Sequence, residues 1–395
     1  MHRPAPSAGP YLTALRAEIG ADWPIYALTL LYAAAGGLYL TSLGGSPLGM
    51  LKVYAWAWTI QFAFFGPLIL LLIGVAKIAL RIQRRKTLAY RAMFAPIRVA
   101  RLLAGTLLLL TALLIFTSVF SAIKTTMPVG RGFLFDVAQA DIDKAIHFGV
   151  DPWRWLYAVA ENSFVLRVVE ANYNVAWFLI CYFTLYWIVT SPHTHRIRIR
   201  YVLTWLASWI VVGNLMASHW LSAGPAFYGL VTGDTARFGE QLLFLSQSAG
   251  EPNSAHNFQS YLWRLYQTGL PGIGSGISAF PSMHVAVATL NALFVGELSR
   301  RWASVMWAYV ALVIGSSVYL AWHYAIDGYV SVITVSAVYW ALRRFLPVLA
   351  RLRWRRNTPD PSETATASEW PASHPKSAAF ADALLPGRDV GTRSV

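Results

Sequence analysis

Residues 278–298 read S-A-F-P-S-M-H-V-A-V-A-T-L-N-A-L-F-V-G-E-L. From Pro281 onward this run approaches the roughly 20 apolar residues that a helix needs to cross a bilayer core. At its mouth stand Pro281, Ser282 and His284. An imidazole in that position has few solvated partners and no packing reason. If the run spans a membrane, its neighbours set the fold and the histidine calls for a chemical purpose.

Composition agrees with a membrane setting. The 395 residues are 56% hydrophobic and only 13% charged, against about 25% charged in an ordinary soluble domain. The mean hydropathy is +0.47. Similar apolar runs lie near 24–43, 56–80, 100–122, 172–190, 199–218, 303–323 and 326–346. The last two are nearly continuous and must turn around His323–Gly328. The expected fold is an all-α polytopic membrane protein with about eight transmembrane helices. The 17 Trp suit membrane interfaces. No cleavable signal peptide is expected, because the first run follows a polar stretch and ends in glycines. The single cysteine, Cys181, excludes an intrachain disulfide.

The net charge of +14 does not indicate nucleic acid, because the basic residues fall in short clusters between apolar runs. One loop holds Arg81, Arg84, Arg85, Lys86, Arg91 and Arg98. Another holds Arg196, Arg198 and Arg200. Arg300 and Arg301 form a third cluster, and Arg343, Arg344, Arg351, Arg353, Arg355 and Arg356 follow the last span. With alternating spans all four fall on one side, which the positive-inside rule makes cytoplasmic. Both termini are then cytoplasmic, in the plasma or inner membrane. The stretches 123–171 and 219–280 face the outside.

Four regions are expected. Residues 1–23 form a cytoplasmic N-terminal segment, and 24–122 hold three N-terminal transmembrane helices. Residues 123–346 form the membrane core with the chemistry. Residues 347–395 are a basic, then disordered cytoplasmic tail, rich in Pro, Ser, Thr and Ala. Within 133–160, Phe133, Phe135, Ile142, Ile146, Trp153 and Trp155 interleave with acids. That pattern predicts an amphipathic helix in the interface plane of the outer face.

Topology places His284 at the outer end of one helix and His323 at the outer end of the next. Within this hairpin the two histidines share one depth. Pro281 suits a helix first turn, where free amides and the Ser282 hydroxyl could hold a phosphate. His323 and Asp327 are four apart and share a face on a helical turn. A carboxylate on one ring nitrogen fixes the tautomer and leaves the other free to attack an electrophile. The second histidine can serve as general acid. Ionisable groups at membrane depth are expensive and usually functional. His219 and His256 also lie on the outer side, but neither is in metal-ligand spacing with this pair, so no metal is expected.

Pro281-Ser282-Met283-His284 followed by His323-x-x-x-Asp327 resembles the type 2 phosphatidic acid phosphatase superfamily. That family shows K-x6-R-P, then P-S-G-H, then S-R-x5-H-x3-D. Here Met283 replaces the glycine and Ser317 stands at the arginine position. Ser222-Ala223-Gly224-Pro225-Ala226-Phe227-Tyr228 occupies the place of the first motif. These departures look like the inositol phosphorylceramide synthase branch, with its P-S-M-H and its S-x-x-Y-L-x-x-H-Y-x-x-D. The stretch His147–Trp153 is also similar to that branch. The resemblance covers roughly 125–345.

The resemblance implies that His323 attacks the phosphorus of a lipid phosphodiester and becomes a phosphohistidine. Asp327 would orient it. His284 would protonate the leaving alkoxide and later deprotonate the acceptor. No metal or cofactor is implied. The partners are the bilayer, a phospholipid donor such as phosphatidylinositol, and a hydroxyl-bearing acceptor such as ceramide or diacylglycerol. Nucleic acid is not a partner. Ser282, Met283, Gly224, Pro225, Tyr228, His219 and His256 are candidates for substrate contact. With the motif arginines missing, Arg264 is the first candidate for stabilising phosphoryl charge, followed by Lys124 and Arg131. The alternatives are a phosphatase of lipid phosphates or isoprenyl diphosphates using the same residues, and a non-catalytic lipid transporter or scaffold.

Overall fold

The structure, a computed structural model, describes residues 9–46 and 48–357. Among these residues it is helical, with no strand. Seven helices are long and apolar enough to cross a membrane: Trp23–Ser42, Leu51–Arg81, Lys86–Thr126, Ser163–Thr190, Pro192–His219, Arg300–Tyr319 and Ala325–Pro347. An all-α polytopic membrane protein is therefore the architecture. The run quoted above forms a shorter apolar helix, Met283–Leu298. Its 16 residues rise about 24 Å. It is short because Ser282 is the N-cap and accepts from the Val285 amide through its side chain. Pro281 thus precedes the cap rather than sitting in the first turn. The tail beyond residue 357 lies outside the described residues.

Two cores hold the bundle. One joins the N-terminal helices to the rest through Phe62, Phe116, Tyr186 and Trp205, reaching Leu290 and Phe294 of the short helix. The other gathers Tyr173, Trp177, Val285, Val313 and Tyr319 around the opposite side of that helix. The short helix is thus the centre of the bundle, and Met283 packs against both cores. The N-terminal polar stretch is not loose: Gly9–Ala21 is a helix. Glu18 and Asp22 pair there with the buried Arg101 and Arg198. Arg200 pairs with Glu297, and Glu297 accepts from Tyr339, which in turn accepts from Arg343. These basic residues therefore share the end of the helices opposite Met283.

The expected amphipathic stretch forms two helices, Asp136–Ile146 and Pro152–Ala160. The first is inverted relative to a soluble surface helix. Its buried face is Asp136, Gln139, Ala140 and Asp143. Val137, Ile142 and Ile146 are exposed. Two of its three carboxylates thus face inward, while Asp141 and Lys144 share the exposed face with the aliphatics, a mixed outer face that suits the interface plane.

Candidate active site

Main-chain bonds between three separate segments build the site. The Ser282 amide donates to the Asp327 carbonyl at 3.2 Å, joining the starts of two helices. The Ala279 amide donates to Ser222 at 2.8 Å, and the Ala226 amide to Ala321 at 2.8 Å. The loop 222–226 is thus threaded between the approach to Ser282 and the approach to His323. Gly224 makes this possible. Its φ is +91°, and a Cβ there would lie 2.8 Å from the Trp322 carbonyl and 2.9 Å from the Ala279 Cβ. Only glycine tolerates both the backbone angle and the contact.

His323 sits in the connection before Ala325, ahead of the helix proper. Its Nδ1 lies 3.2 Å from the Asp327 Oδ2, which also accepts the Tyr324 amide at 3.1 Å. Asp327 is fully buried, and His323 is 8% exposed. With the Nδ1 proton directed to the carboxylate, the Nε2 lone pair is left free.

His284 is held on the facing helix by aromatic side chains. Tyr173 stacks on its ring, with centroids 4.3 Å apart and planes at 18°. Trp177 lies at 4.2 Å, and its indole N–H donates to the His284 carbonyl at 3.0 Å. Tyr173 comes from a π-helical turn, Asn172–Ala176, in the Ser163–Thr190 span. Ser282, two residues before His284, is bonded to Asp327, four residues after His323, and this brings the two histidines to the same region.

Beneath these groups the Asp136–Ile146 helix anchors the loops. Asp136 accepts the Ala223 and Gly224 amides, each at 2.8 Å, and the Tyr324 hydroxyl at 2.9 Å. Asp143 accepts the Ala325 and Ile326 amides at 3.1 and 3.0 Å. Burial pushes both carboxyls above the usual carboxylate range, and the donated hydrogen bonds oppose that shift. A carboxylate at the first amides of the helix carrying Asp327 also complements its dipole.

Residues 138–341 match the family model of the PAP2 superfamily. The chain belongs to the PAP2 superfamily. No curated protein and no solved structure matches it. Membership makes this PAP2 chain a membrane enzyme of the lipid phosphatase and phosphotransferase kind. The matched region contains His284, His323 and Asp327. It begins after Lys124 and after the first three long apolar helices.

The remaining candidate residues of the PAP2 chain divide by position. Ser282, Gly224 and Pro225 are buried beside the two histidines. The Ser282 hydroxyl is occupied as a helix cap, so it is not a free phosphate ligand. Met283 is half-buried, with its sulfur against Gly213. Tyr228 is buried in the core against Phe238, under the Arg237 guanidinium. His219 is exposed, edge-on to Trp220. His256 is half-buried in the first turn of Ala255–Thr268. Arg264, on the same helix, is exposed, and among the described residues its guanidinium bonds nothing in the site. Arg131 is exposed as well. His147 bonds the Asp143 carbonyl and Tyr329, and Asp151 pairs with Arg237. Both belong to the scaffold.

Sequence reasoning missed Tyr173, Trp177, Asp136 and Asp143. The acids had a legible signal. Asp136, Gln139 and Asp143 fall at helical spacing, so their polar stripe had to face either water or backbone amides.

Proposed function

We propose that this PAP2 enzyme transfers a phosphorylated headgroup between lipids through a phosphohistidine on His323. The observation that carries the proposal is the His323–Asp327 pair, tied by the Ser282–Asp327 bond to the start of the helix bearing His284. Asp327 orients the His323 ring, and Nε2 attacks the phosphorus of the donor phosphodiester. A P–N bond forms and the bond from phosphorus to the diacylglycerol oxygen breaks. His284 gives its proton to that departing alkoxide. The acceptor hydroxyl then yields its proton to His284 and attacks phosphorus, and the P–N bond breaks. Atoms and charge balance over the two halves, and His284 ends as it began.

The P-S-M-H motif and the missing motif arginine support the inositol phosphorylceramide synthase-like branch. The donor class is then a glycerophospholipid such as phosphatidylinositol. The acceptor is a lipid hydroxyl such as that of ceramide or diacylglycerol. The basic clusters at the opposite helix ends support an extracytoplasmic site with both termini cytoplasmic.

The test is incubation of the purified protein in vesicles with phosphatidylinositol labelled at phosphorus, together with ceramide. Label in a second lipid supports the transferase. Label released as a water-soluble phosphate assigns the same residues to a hydrolase. Wild-type turnover unaffected by His323→Ala and His284→Ala overturns the mechanism.

A further inference from the structure

Away from the histidines, the central helix Met283–Leu298 ends beside a cavity of about 360 Å³. Three helices wall it: Gly296 and Glu297 come from Met283–Leu298, Trp307 from Arg300–Tyr319, and Tyr339, Trp340 and Arg343 from Ala325–Pro347. We infer that this cavity binds the headgroup phosphate of an anionic phospholipid, taken from the leaflet on the side opposite His284. From His284 to Gly296 the helix rises about 18 Å, so this site is separate from the phosphoryl-transfer reading and does not rest on it.

The acid in this wall, Glu297, is already committed. It pairs with Arg200 and accepts the Tyr339 hydroxyl at 2.7 Å. That hydroxyl accepts from Arg343 Nη1 at 2.9 Å. Among the described residues Arg343 has no carboxylate partner, so the wall keeps one unbalanced positive charge. A guanidinium carries five N–H donors in a planar fork, and the bond to Tyr339 uses one. The fork stands 5.2 Å from the Trp340 ring and 6.0 Å from the Tyr339 ring. The rings hold its plane, and its edge is left for a bidentate phosphate. Gly296 keeps the space for that group, since a Cβ there would meet only the Ala303 Cβ, at 3.4 Å. The bilayer is the source that fits. Trp302, Trp307 and Trp340 are exposed around the cavity, as indoles are at headgroup depth. Arg300, Arg301 and Arg344 are exposed nearby, and basic pockets between membrane helices hold anionic headgroups. Ile333, two turns before Trp340, is exposed on the same face and gives an acyl chain an apolar track. The cavity is at the small end for ligand sites, so it takes the headgroup and leaves the chains outside.

The test uses the full-length protein in nanodiscs of equal phosphatidylglycerol and phosphatidylcholine, with the lipid that stays bound read by native mass spectrometry. Wild type should retain one phosphatidylglycerol in preference to phosphatidylcholine. Arg343→Gln should lower that retention by about 10-fold or more, the loss expected for hydrogen bonds to a charged group. Arg344→Gln makes the same change in net charge outside the cavity and should retain the lipid as wild type does. Gly296→Leu fills the cavity without changing charge and should also lose the lipid. Equal loss in Arg343→Gln and Arg344→Gln would mean a diffuse attraction of arginines for the bilayer and overturns the site. A second arm needs no variant to fold. Phosphatidylglycerol carrying a diazirine near its headgroup should cross-link, in wild type, to peptides containing Trp307 or Trp340. Absence of those cross-links overturns the proposal, and so does displacement of the retained lipid by millimolar inorganic phosphate, which would make the site one for a free anion.

Discussion

The main-chain amide of Ser282 donates to the main-chain carbonyl of Asp327 at 3.2 Å. That bond sets the starts of two central helices side by side. It also keeps the helix bearing His284 in register with the turn bearing His323. Neither residue needs to touch substrate for the relationship to matter. Any shift of one helix start moves an imidazole relative to the other.

Asp327→Asn separates orientation from packing. The variant keeps the volume and the oxygen that accepts from Tyr324. It offers His323 Nδ1 either a donor or a neutral acceptor, so the tautomer is no longer fixed. In the comparable serine-protease arrangement, the wrong tautomer lowers kcat by about 10⁴. A fall of about 10³- to 10⁴-fold in turnover is expected, with the thermal midpoint of the protein little changed. A turnover within about 5-fold of wild type would remove Asp327 from the mechanism.

The stack of Tyr173 on His284 predicts a split between two substitutions. The Tyr173 hydroxyl is buried near Ser282 without a hydrogen bond of ordinary geometry, so Tyr173→Phe keeps the stacked ring and loses at most that contact. Its turnover should match wild type within about 3-fold. Tyr173→Ala removes the stacked face, worth about 0.5–1.5 kcal/mol beyond its burial, and opens a cavity against the His284 imidazole. Turnover should fall by about 10-fold or more, while Trp177 still holds the His284 carbonyl. Equal activity in the two variants would show that the stack does not position His284.

Asp136 gives the fold a predictable pH dependence. Burial raises its folded-state pKa above the unfolded value, against the hydrogen bonds from Ala223, Gly224 and Tyr324. Below the ordinary carboxylate range the group is protonated in both states and carries no penalty. As pH rises through that range and the raised value, the folded state is protonated longer than the unfolded one. Stability from this group is therefore lost with rising pH. The thermal midpoint of wild type should decline relative to Asp136→Asn between about pH 4 and neutrality. A parallel pair of pH curves would show that the carboxyl titrates as it does in water.

The sequence made the spans and the proposed site of His284, His323 and Asp327 legible for one physical reason. Apolar runs of bilayer length are unmistakable, and polar groups at matched ends of two such runs break the pattern where chemistry needs them. The same rule hides Tyr173, because a tyrosine within the 172–190 run reads as lipid-facing or interfacial until helix rotation is known. Rotation also decides the cations. Arg264 and Lys124 are equally basic and both near the outer side in sequence. The Ala255–Thr268 helix buries Ala255, Gln259 and Leu265 and leaves Arg264 outside. The acids of 136–143 were legible as a stripe, but their burial against loop amides depends on tertiary contacts that no local pattern contains.

The N-terminal helix offers the last prediction, at the end of the bundle far from the histidines. Asp22 accepts from Arg101 at 2.7 Å and from Arg198 at 3.2 Å. Glu18 accepts from the same two guanidiniums at 2.9 and 3.2 Å. Arg101 and Asp22 are fully buried, and Arg101 also donates to the Val189 carbonyl at 2.8 Å. Two acids and two arginines leave this buried cluster neutral. Asp22→Asn leaves it with one uncompensated positive charge, which in a buried pair costs about 3–5 kcal/mol. The variant should unfold at a clearly lower temperature in detergent, and Arg101→Met should do the same. Asp22→Asn with Arg101→Met restores neutrality and should lose less than the sum of the two, giving a coupling of about 1–3 kcal/mol. From Arg198 to His219 one helix rises about 30 Å, so turnover per folded molecule should stay at the wild-type value. A coupling near zero would mean that the arginines find other partners when Asp22 is gone, and that the N-terminal helix is held by its apolar contacts alone.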